Sequence, residues 1–305
     1  MKPFLLLALA SAAMGAAPTD EALLEYVRGR TSLERVTPVL VDMAATVAAR
    51  CSIDSILSNN PHQKAKFHTF ANGLSVLPLF DPWGKFPPGS LLLKEKFSID
   101  GKSQLFTGMW KREAGYFPEL GDWEFFTVDA AVGKVLERGK LTNCAGCHAE
   151  MEKGDHVARD YIIPAQITDG RIVLHSSKAR TYGEKLHYEE AEIKNTLGYW
   201  VNPSDWAEWK FQVARTGTFD IHIWQGCGTG SGGSEIAIIA AGQTKTFTVE
   251  ETGHFQHFKE RVVGQVTFAE TGPQSLELRV LKKPGPAVMD VRMIILTPTK
   301  AAAGK

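Results

Sequence analysis

The sequence predicts two folded domains, an α+β domain followed by an all-β sandwich. The first half of the chain mixes segments of helical periodicity with runs of aromatic and β-branched residues. From about residue 186 the helical periodicity stops, and short alternating strands separated by Gly and Pro replace it. We expect an antiparallel sheet with packed helices over 18–167, a linker over 168–185, a jelly-roll sandwich over 186–298 and a disordered tail over 299–305.

Residues 1–17 have the pattern of a secretory signal peptide. Lys2 precedes an apolar run that starts at Phe4, and small residues follow up to Ala17. This run is shorter than the ~20 residues that cross a bilayer, and no later run reaches that length. We therefore expect a soluble exported protein with no membrane span. The 34 basic and 34 acidic residues balance, so the charge gives no indication of nucleic-acid binding.

The elements of the first domain follow from caps, periodicity and turns. Thr19 followed by Asp20 and Glu21 predicts the start of a short helix, and a second helical segment is predicted over 39–51. Strands are predicted over 66–77, 90–99, 103–111 and 123–128. Asp100 and Gly101 would form a type I′ turn between the two middle strands. These strands predict a small antiparallel sheet.

The run Cys144-Ala145-Gly146-Cys147-His148 has the spacing of a covalent haem attachment site. Two thiols three positions apart can bond the two vinyl groups of one porphyrin, and the adjacent imidazole then reaches the iron. We expect one haem c, held by Cys144 and Cys147, with His148 as the axial iron ligand. Bacteria attach haem in this way outside the cytoplasm, which agrees with the signal peptide and predicts a periplasmic or secreted protein.

Half of a zinc site is the alternative for these cysteines. A complete site needs two more ligands at a similar spacing, and the other two cysteines, Cys51 and Cys227, are each isolated in the sequence. Haem attachment is therefore preferred. We expect Cys51 and Cys227 to be separate buried thiols rather than a disulfide, because they fall in different predicted domains.

Several segments of the first domain resemble the cytochrome P-460 family, which includes hydroxylamine-oxidising c-type cytochromes and the gas-binding cytochromes c′-beta. They occur in the family's order over about 35–165: Phe86-Pro87-Pro88-Gly89-Ser90, Leu93-Lys94-Glu95, Trp110-Lys111-Arg112, Gly121-Asp122-Trp123-Glu124-Phe125-Phe126, the haem motif, and Arg159-Asp160-Tyr161. The resemblance implies an antiparallel sheet with haem against one face. It also implies a small gaseous or nitrogenous ligand and a redox partner cytochrome.

The resemblance leaves catalysis and ligand binding open as functions. In the hydroxylamine-oxidising members a lysine is cross-linked to the porphyrin, and Lys94 is the residue that matches it. These members also use a carboxylate to move protons, for which the candidates are Glu95, Glu113 and Glu124.

Two other functions remain for the haem domain. The segment 104–109 contains no acid, which favours an apolar pocket for nitric oxide in which Phe97, Phe106 or Phe126 covers the iron. Plain electron transfer requires a second axial ligand. The candidates for that ligand are Met109, Met151, His62, His68 and His156.

The second domain has the strand pattern of a sandwich. Strands are predicted over 206–213, 218–224, 234–239, 245–249, 261–268, 275–281 and 288–296. The domain resembles carbohydrate-binding modules of families 6 and 35 in Tyr188-Glu189-Glu190-Ala191-Glu192, in Gly198-Tyr199-Trp200 with Trp206-Ala207-Glu208-Trp209, and in Ala287-Val288-Met289-Asp290-Val291. The resemblance implies a calcium ion held by Glu190, Glu192 and Asp290.

Aromatic residues of the sandwich are candidates for contact with a polysaccharide. Sugar rings stack on exposed aromatic side chains, which makes Tyr199, Trp200 and Trp224 candidates, whereas we expect Trp206 and Trp209 in the core.

Two further features of this domain are expected to be structural. The glycine-rich run 226–233 lacks the lysine and the following helix of a phosphate-binding loop, so we expect a hairpin loop. His254 and His257 lack a third metal ligand nearby in the sequence.

These observations predict an exported single-haem c-type cytochrome that binds or oxidises small nitrogen species, such as hydroxylamine and nitric oxide, at a five-coordinate haem. The alternative is a non-catalytic nitric oxide-binding or electron-transfer cytochrome that its sandwich tethers to glycan. The sequence does not decide whether the chain is a hydroxylamine-oxidising oxidoreductase.

Overall fold

The computed structural model describes residues 18–42, 66–98 and 100–299. The chain divides into two compact units. The first is made of Met1–Arg35, Val39–Pro78 and Lys85–Ala158, and the second of Val36–Pro38, Leu79–Gly84 and Arg159–Lys305. The predicted signal peptide lies outside the described residues. Within the described ranges, no helix is long and apolar enough to cross a membrane.

Up to His148, the described residues form three α-helices and seven strands. These are α1 (Asp20–Arg28), β1 (Glu34–Arg35), β2 (Val41–Asp42), β3 (Lys66–Ala71), α2 (Gly73–Phe80), β4 (Leu91–Phe97), β5 (Ser103–Lys111), β6 (Trp123–Asp129), β7 (Lys134–Gly139) and α3 (Thr142–His148). Short 3₁₀ turns cover Arg30–Ser32, Pro118–Leu120 and Ala149–Gly154. The strands make one antiparallel sheet in the order β1-β3-β4-β5-β6-β7, with β2 also paired to β3.

The sheet of the first unit buries side chains on both faces. Because side chains alternate along a strand, neighbours in sequence point to opposite faces. On the first face, which we call the α1 face, apolar residues of the sheet pack with Leu23 and Val27 of α1; they are Phe70, Leu91, Leu93, Phe106, Phe126 and Val128. The second face carries Phe125, whose ring centroid lies 5.1 Å from that of His148. We call it the His148 face.

Two predicted elements of the first unit differ in the structure. The strand predicted over 66–77 ends at Ala71, because Asn72 begins a turn: its side-chain oxygen accepts from the Ser75 hydroxyl at 2.8 Å, and its amide donates to the Gly89 carbonyl at 2.8 Å. Of the helix predicted over 39–51, residues 39–40 are not helical and residues 41–42 form β2 against β3, whereas residues 43–51 lie outside the described ranges. The predicted α1 is present and is capped by Thr19.

The second unit is a sandwich of two antiparallel sheets, as the sequence predicts. Its strands are β8 (Ile172–His175), β9 (Arg180–Tyr182), β10 (His187–Glu189), β11 (Thr196–Gly198), β12 (Trp206–Val213), β13 (Gly217–Gly226), β14 (Glu235–Ala240), β15 (Gln243–Thr248), β16 (Lys259–Phe268), β17 (Gly272–Lys282) and β18 (Asp290–Pro298). One sheet has the order β10-β11-β18-β13-β16 with β8 also paired to β18, and the other has the order β15-β14-β17-β12-β9. The buried core includes Trp209, Phe219, Leu276 and Ile294.

The boundaries of the sandwich are wider than predicted. The segment 168–185, predicted as a linker, contains β8, whose residues Ile172 and Leu174 are fully buried, and β9, which pairs with β12. At the other end, Thr299 was expected in a disordered tail, but its amide donates to the Thr218 carbonyl at 2.9 Å. Residues 300–305 are not among those described.

Candidate functional sites

The Cys-x-x-Cys-His run forms the last five residues of α3. Cys144 and Cys147 are three positions apart and therefore lie on one side of the helix, where both are partly exposed. The α geometry ends at His148. The 3₁₀ turn Ala149–Gly154 follows, in which Met151 departs from helical geometry with φ −109°.

A backbone carbonyl fixes the protonation of His148. Nδ1 of His148 lies 2.6 Å from the carbonyl oxygen of His156. Because a carbonyl oxygen only accepts hydrogen bonds, Nδ1 carries the proton and donates it, which leaves Nε2 with its lone pair. His156 returns the contact, since its Nδ1 donates to the carbonyl of His148 at 3.1 Å. The two residues therefore hold each other through reciprocal hydrogen bonds.

The surroundings of His148 keep the imidazole neutral. Burial lowers the pKa of His148 to about 4, and the positive charges of Lys94 and Lys96 contribute in the same direction, whereas the bond to the His156 carbonyl opposes the change. A neutral imidazole with a lone pair on Nε2 is the form that binds a metal ion.

The turn that presents His156 is anchored by a buried ion pair. Nζ of Lys111 on β5 lies 2.7 Å from Oδ2 of Asp155, and both side chains are about nine-tenths buried. The same carboxylate oxygen accepts the backbone N–H of Phe86 at 2.9 Å, and the indole N–H of Trp123 donates to the carbonyl of Asp155 at 2.8 Å. Asp155 and His156 have φ values of 55° and 61°, in the left-handed region.

The His148 face of the sheet has a polar row beside Phe125. In the strand register, Thr69 on β3 lies opposite Lys94 on β4, Lys94 opposite Thr107 on β5, and Thr107 opposite Thr127 on β6. Residues opposite each other point to the same face, and Thr127 is two positions from Phe125, so the row shares the face that contacts His148. We call these four residues the polar row. Lys94, predicted as the haem-facing lysine, is therefore on the same face as His148.

Lys96 also lies on the His148 face, although no sequence pattern marks it as a site residue. It is two positions from Lys94, only 2 % exposed, and close enough for its charge to affect His148. In the sequence, Lys96 stands between Glu95 and Phe97 and resembles an ordinary lysine of a strand. Its face could have been inferred only because side chains alternate along a strand, which puts Lys96 on the same face as Lys94.

The phenylalanines predicted to cover the iron lie on the other face. Phe106 is in the α1-face core with Phe126, and Phe97 packs against His68, with ring centroids 6.0 Å apart, on that same side. Phe97 and Phe106 therefore lie on the sheet face away from His148, and their contact with a haem stays a prediction. Strand parity explains the placement, since the phenylalanine of β6 on the His148 face is Phe125.

The three glutamates considered for proton transfer are engaged in ion pairs. On the α1 face, Glu95 pairs with Arg30 at 2.8 Å. Glu124 accepts from Arg112 and Arg138, each at 2.9 Å.

The third glutamate is held in the same way, because Glu113 receives two hydrogen bonds from Arg112. By strand register, Glu95 and Glu124 lie on the α1 face, and proton transfer by any of the three glutamates stays a prediction.

The candidate second axial ligands are also separated by the sheet. His68 lies on the α1 face opposite Glu95, whereas Met109 lies on the His148 face opposite Phe125. His156 uses its Nδ1 on the backbone of His148. Met151 is partly exposed in the 3₁₀ turn, and His62 lies outside the described residues.

These residues fit a covalently attached haem. The two thiols are on one side of a helix and accessible, and the adjacent imidazole has its Nε2 lone pair available while Nδ1 is held by a carbonyl. For the zinc alternative, the described part of the chain contains no group of three or more His, Cys, Asp or Glu that could hold a metal ion.

The calcium ligand set predicted on the sandwich is not assembled. Asp290 is 4 % exposed at the start of β18, but the carboxylate that approaches it is that of Glu189, since both side chains reach the space above Gly198. Glu190 lies toward Tyr188 and Glu192 is exposed. The reason is that β10 ends at Glu189 and a turn follows, in which the amides of Lys194 and Asn195 donate to the Ala191 carbonyl.

A surface cavity of about 290 Å³ lies beside Asp290. Its lining includes Glu189, Tyr199 and Gln256, and Gln256 donates to Oδ2 of Asp290 at 2.9 Å. Tyr199 is 60 % exposed and stacks on His187 with a ring-centroid distance of 5.2 Å. Of the aromatic candidates, Tyr199 is therefore the accessible one at this cavity.

The sandwich tryptophans differ from their predicted roles. Trp200, a predicted sugar platform, is 1 % exposed and donates to the Asp205 carbonyl at 3.0 Å. Trp224 is half-buried. Trp206 was expected in the core but stacks on Tyr182 at the sheet surface, at 3.9 Å between centroids, whereas Trp209 is fully buried as predicted.

The glycine-rich run 226–233 connects β13 of one sheet to β14 of the other sheet, so it is not the hairpin loop expected from the sequence. A Cβ on Gly226 would lie 1.8 Å from the carbonyl oxygen of Phe255, so this glycine is required by close packing. Cys227 is a buried thiol that contacts the Val288 carbonyl at 3.6 Å, and Cys51 lies outside the described residues. His254 and His257 have ring centroids 5.5 Å apart.

Comparisons with known proteins concern the sandwich. Residues 181–301 match a family model described as "Domain of unknown function (DUF5077)". No curated protein sequence matches the chain.

Similar solved structures include a GH26-CBM35 β-(1,4)-mannanase of Podospora anserina, with 14 % identity over 44 % of this chain and 28 % of that one, at a TM-score of 0.32. This chain thus spans little more than a quarter of the mannanase. The C-terminal CBM6 of the laminarinase LamC of Zobellia galactanivorans shows 16 % identity over 42 % of this chain and 98 % of that one, at a TM-score of 0.32. The CBM35 of Cellvibrio japonicus Abf62 shows 12 % identity over 44 % of this chain and 98 % of that one, at a TM-score of 0.35.

Proposed function

We propose that the chain is an exported single-haem c-type cytochrome that binds small nitrogen species. The observation that carries the proposal is the 2.6 Å hydrogen bond from Nδ1 of His148 to the His156 carbonyl, next to two accessible cysteines on one side of α3. A carbonyl or carboxylate acceptor at the second ring nitrogen is the usual support of a metal-binding histidine.

The residues of this chain would hold haem through Cys144, Cys147 and His148. When bound, haem supplies an iron whose sixth position takes a small ligand. The polar row supports a nitrogen ligand that can accept hydrogen bonds, because hydroxyls of Thr107 and Thr127 can donate. This differs from the wholly apolar pocket expected from the sequence.

Oxidation of hydroxylamine is a second candidate, and the position of Lys94 favours it. Lys94 shares a face with Phe125, and its charge acts on His148. A lysine on this face supports a bond to the porphyrin, which the resemblance to cytochrome P-460 implies. Electrons from such a reaction would leave to a partner cytochrome in the periplasm or cell exterior.

The ultraviolet-visible spectrum tests both candidates. The chain would be matured in a host that attaches c-type haem, then recorded in ferric and dithionite-reduced forms, with and without nitric oxide. An ordinary high-spin spectrum that shifts with nitric oxide supports ligand binding, and a strongly red-shifted reduced Soret band supports the Lys94 cross-link and oxidation. A low-spin spectrum that does not change when nitric oxide is added refutes both candidate functions.

Matched variants give this experiment its controls. Cys144→Ala with Cys147→Ala should abolish covalent haem, whereas Cys227→Ala should retain it. Lys94→Gln should remove a red-shifted band, whereas Lys102→Gln should not, because Lys102 is an exposed hairpin lysine. Retention of covalent haem in the double cysteine variant contradicts the assignment.

We further propose that the sandwich binds polysaccharide at the cavity beside Asp290. The exposed ring of Tyr199 next to polar groups of Glu189 and Gln256 supports this, because sugars contact aromatic faces and hydrogen-bonding side chains together. Affinity electrophoresis in gels containing different polysaccharides would show retardation that Tyr199→Ala removes and Val262→Ala, an exposed residue elsewhere on the sandwich, retains. Equal mobility in every gel refutes the proposal.

A further inference from the structure

We propose that Asp155 is the positioning residue for the imidazole of His148. It holds the carbonyl group of His156 in place to accept from Nδ1 of His148. The consequence at the iron rests on the proposed haem function, whereas the effect on His148 concerns the chain alone.

The contacts of Asp155 connect it to three parts of the first unit. Its carboxylate accepts from Lys111 of β5 at 2.7 Å and from the amide of Phe86 before β4 at 2.9 Å. Its carbonyl accepts from the indole of Trp123 on β6 at 2.8 Å. The residue is 7 % exposed, so these bonds lie away from water, where breaking them is costly. Both ends of Asp155 are therefore fixed to the sheet.

The backbone at Asp155 and His156 has a conformation that needs such support. Their φ values of 55° and 61° are left-handed, and neither residue is glycine. A residue other than glycine is strained in this region and keeps the conformation only where its surroundings determine it. The conformation turns the chain back so that the carbonyl of His156 meets the side chain eight positions earlier. Releasing Asp155 would let the turn relax and withdraw this carbonyl.

The carbonyl of His156 decides which ring nitrogen of His148 is available. With the acceptor in place, the proton stays on Nδ1, and the lone pair of Nε2 is more basic because Nδ1–H is engaged. Without this carbonyl, the ring can carry its proton on Nε2, which is the atom that would bind the iron. The ion pair of Lys111 and Asp155 thus acts on the imidazole of His148 through the backbone carbonyl of His156.

Replacement of Asp155 by Asn tests whether the ion pair with Lys111 keeps the His156 carbonyl in position. Asn tolerates the left-handed region but loses the charge that Lys111 contacts. Asp122→Asn is the matched control, because Asp122 also has a left-handed φ of 61° and accepts two backbone amides, of Gly115 and Phe117, at 3.1 and 2.8 Å.

The first readout is the tautomer of His148 in the haem-free full chain, measured by long-range proton–nitrogen NMR with labelled histidine. The wild type and Asp122→Asn should show the Nδ1–H form, and Asp155→Asn should lose that signal in favour of Nε2–H. Unchanged Nδ1–H signal in Asp155→Asn overturns the proposal. Trp123→Phe removes the bond to the Asp155 carbonyl and keeps the carboxylate of Asp155, so it should shift the tautomer in the same direction and serves where Asp155→Asn does not fold.

The second readout uses the haem-loaded full chain. Resonance Raman of the ferrous protein should show the iron–histidine stretch at lower frequency in Asp155→Asn than in Asp122→Asn, since His148 then binds with less electron donation. Equal frequencies overturn the proposal. Absence of covalent haem from the wild type would instead refute the proposed function, and the tautomer measurement would still decide the role of Asp155.

Discussion

Replacing Asp290 by Asn should stabilise the sandwich at alkaline pH and have little effect in acid. Asp290 is 4 % exposed, and burial, together with the negative charge of Glu189, raises its pKa from 3.8 to about 7, although the hydrogen bond from Gln256 opposes the change. In the unfolded chain the same carboxyl ionises near its ordinary pKa. The folded state therefore binds this proton more tightly than the unfolded state does.

The sign and size of the effect follow from proton linkage. Below about pH 4 the carboxyl of Asp290 is protonated in both the folded and the unfolded state, so it does not lower the free energy of unfolding. As the pH rises from about 4 to about 7, only the unfolded state releases the proton, so stability is lost, and above pH 7 the loss is complete. Three pKa units correspond to roughly 4 kcal/mol as an upper bound. Asn has no charge to bury and removes this pH dependence.

Urea unfolding followed by tryptophan fluorescence, at pH 4.5 and pH 8 with a chelator present, measures the free energy of unfolding of Asp290→Asn and of the wild type. We expect the two to differ by on the order of a few kcal/mol at pH 8. Asp220→Asn is the control, because Asp220 also accepts from a glutamine, Gln265, at 2.8 Å but is partly exposed. We expect Asp290→Asn to raise the unfolding midpoint at pH 8 and Asp220→Asn to leave it unchanged. Equal behaviour of the two variants at both pH values would refute the reasoning.

Three further substitutions have expected outcomes. Gly108→Ala would place a Cβ 2.0 Å from the ring of Phe126, so thermal unfolding should show a loss of about 1–3 kcal/mol, whereas Gly73→Ala, with no atom within 4 Å, should not destabilise; equal melting temperatures contradict this. Asp205→Ala leaves three backbone amides without their acceptor and should cost about 2 kcal/mol or more in urea unfolding, and a neutral result contradicts the assigned contacts. Tyr199→Ala should leave the melting temperature unchanged, since this side chain is 60 % exposed; a large decrease would show that Tyr199 supports the fold.

The strands of the sandwich were predictable because their periodicity is local. The run 206–213 alternates buried and less buried side chains, and β12 has these bounds. The short strands β8 and β9 were not predictable in the same way. Ile172-Val173-Leu174 is a continuous apolar run of three residues, and its pairing with β18 depends on residues more than a hundred positions later.

The face of each strand in the first unit was harder to predict than the strand itself. Every residue of β6 from Trp123 to Val128 is buried, so the sequence contains no alternation that distinguishes Phe125 from Phe126. The face is decided by what packs on it, which is α1 on one side and His148 on the other. For this reason the sequence alone does not show that Lys94 lies on the His148 face and Phe106 on the α1 face.

The Cys-x-x-Cys-His motif could be found from its spacing, but the hydrogen-bond acceptor that supports His148 could not. The acceptor for His148 is a backbone carbonyl, which every residue has, and its direction depends on the left-handed turn at Asp155 and His156. That turn depends in part on Lys111, which lies 44 positions away in the sequence. Such a contact has no local signal.

The sandwich unit is assembled from three separate stretches of chain, two of them short, and this restricts how the gene can evolve. Within the stretch Leu79–Gly84, Asp81 accepts from Asn195 at 2.6 Å and the indole of Trp83 donates to the Glu190 carbonyl at 2.6 Å. A recombination event that copies only the codons for residues 181–301 would omit these contacts and the strand β8. The sandwich is therefore a poor candidate for exchange between genes as a single cassette, and we expect the two units to be inherited together.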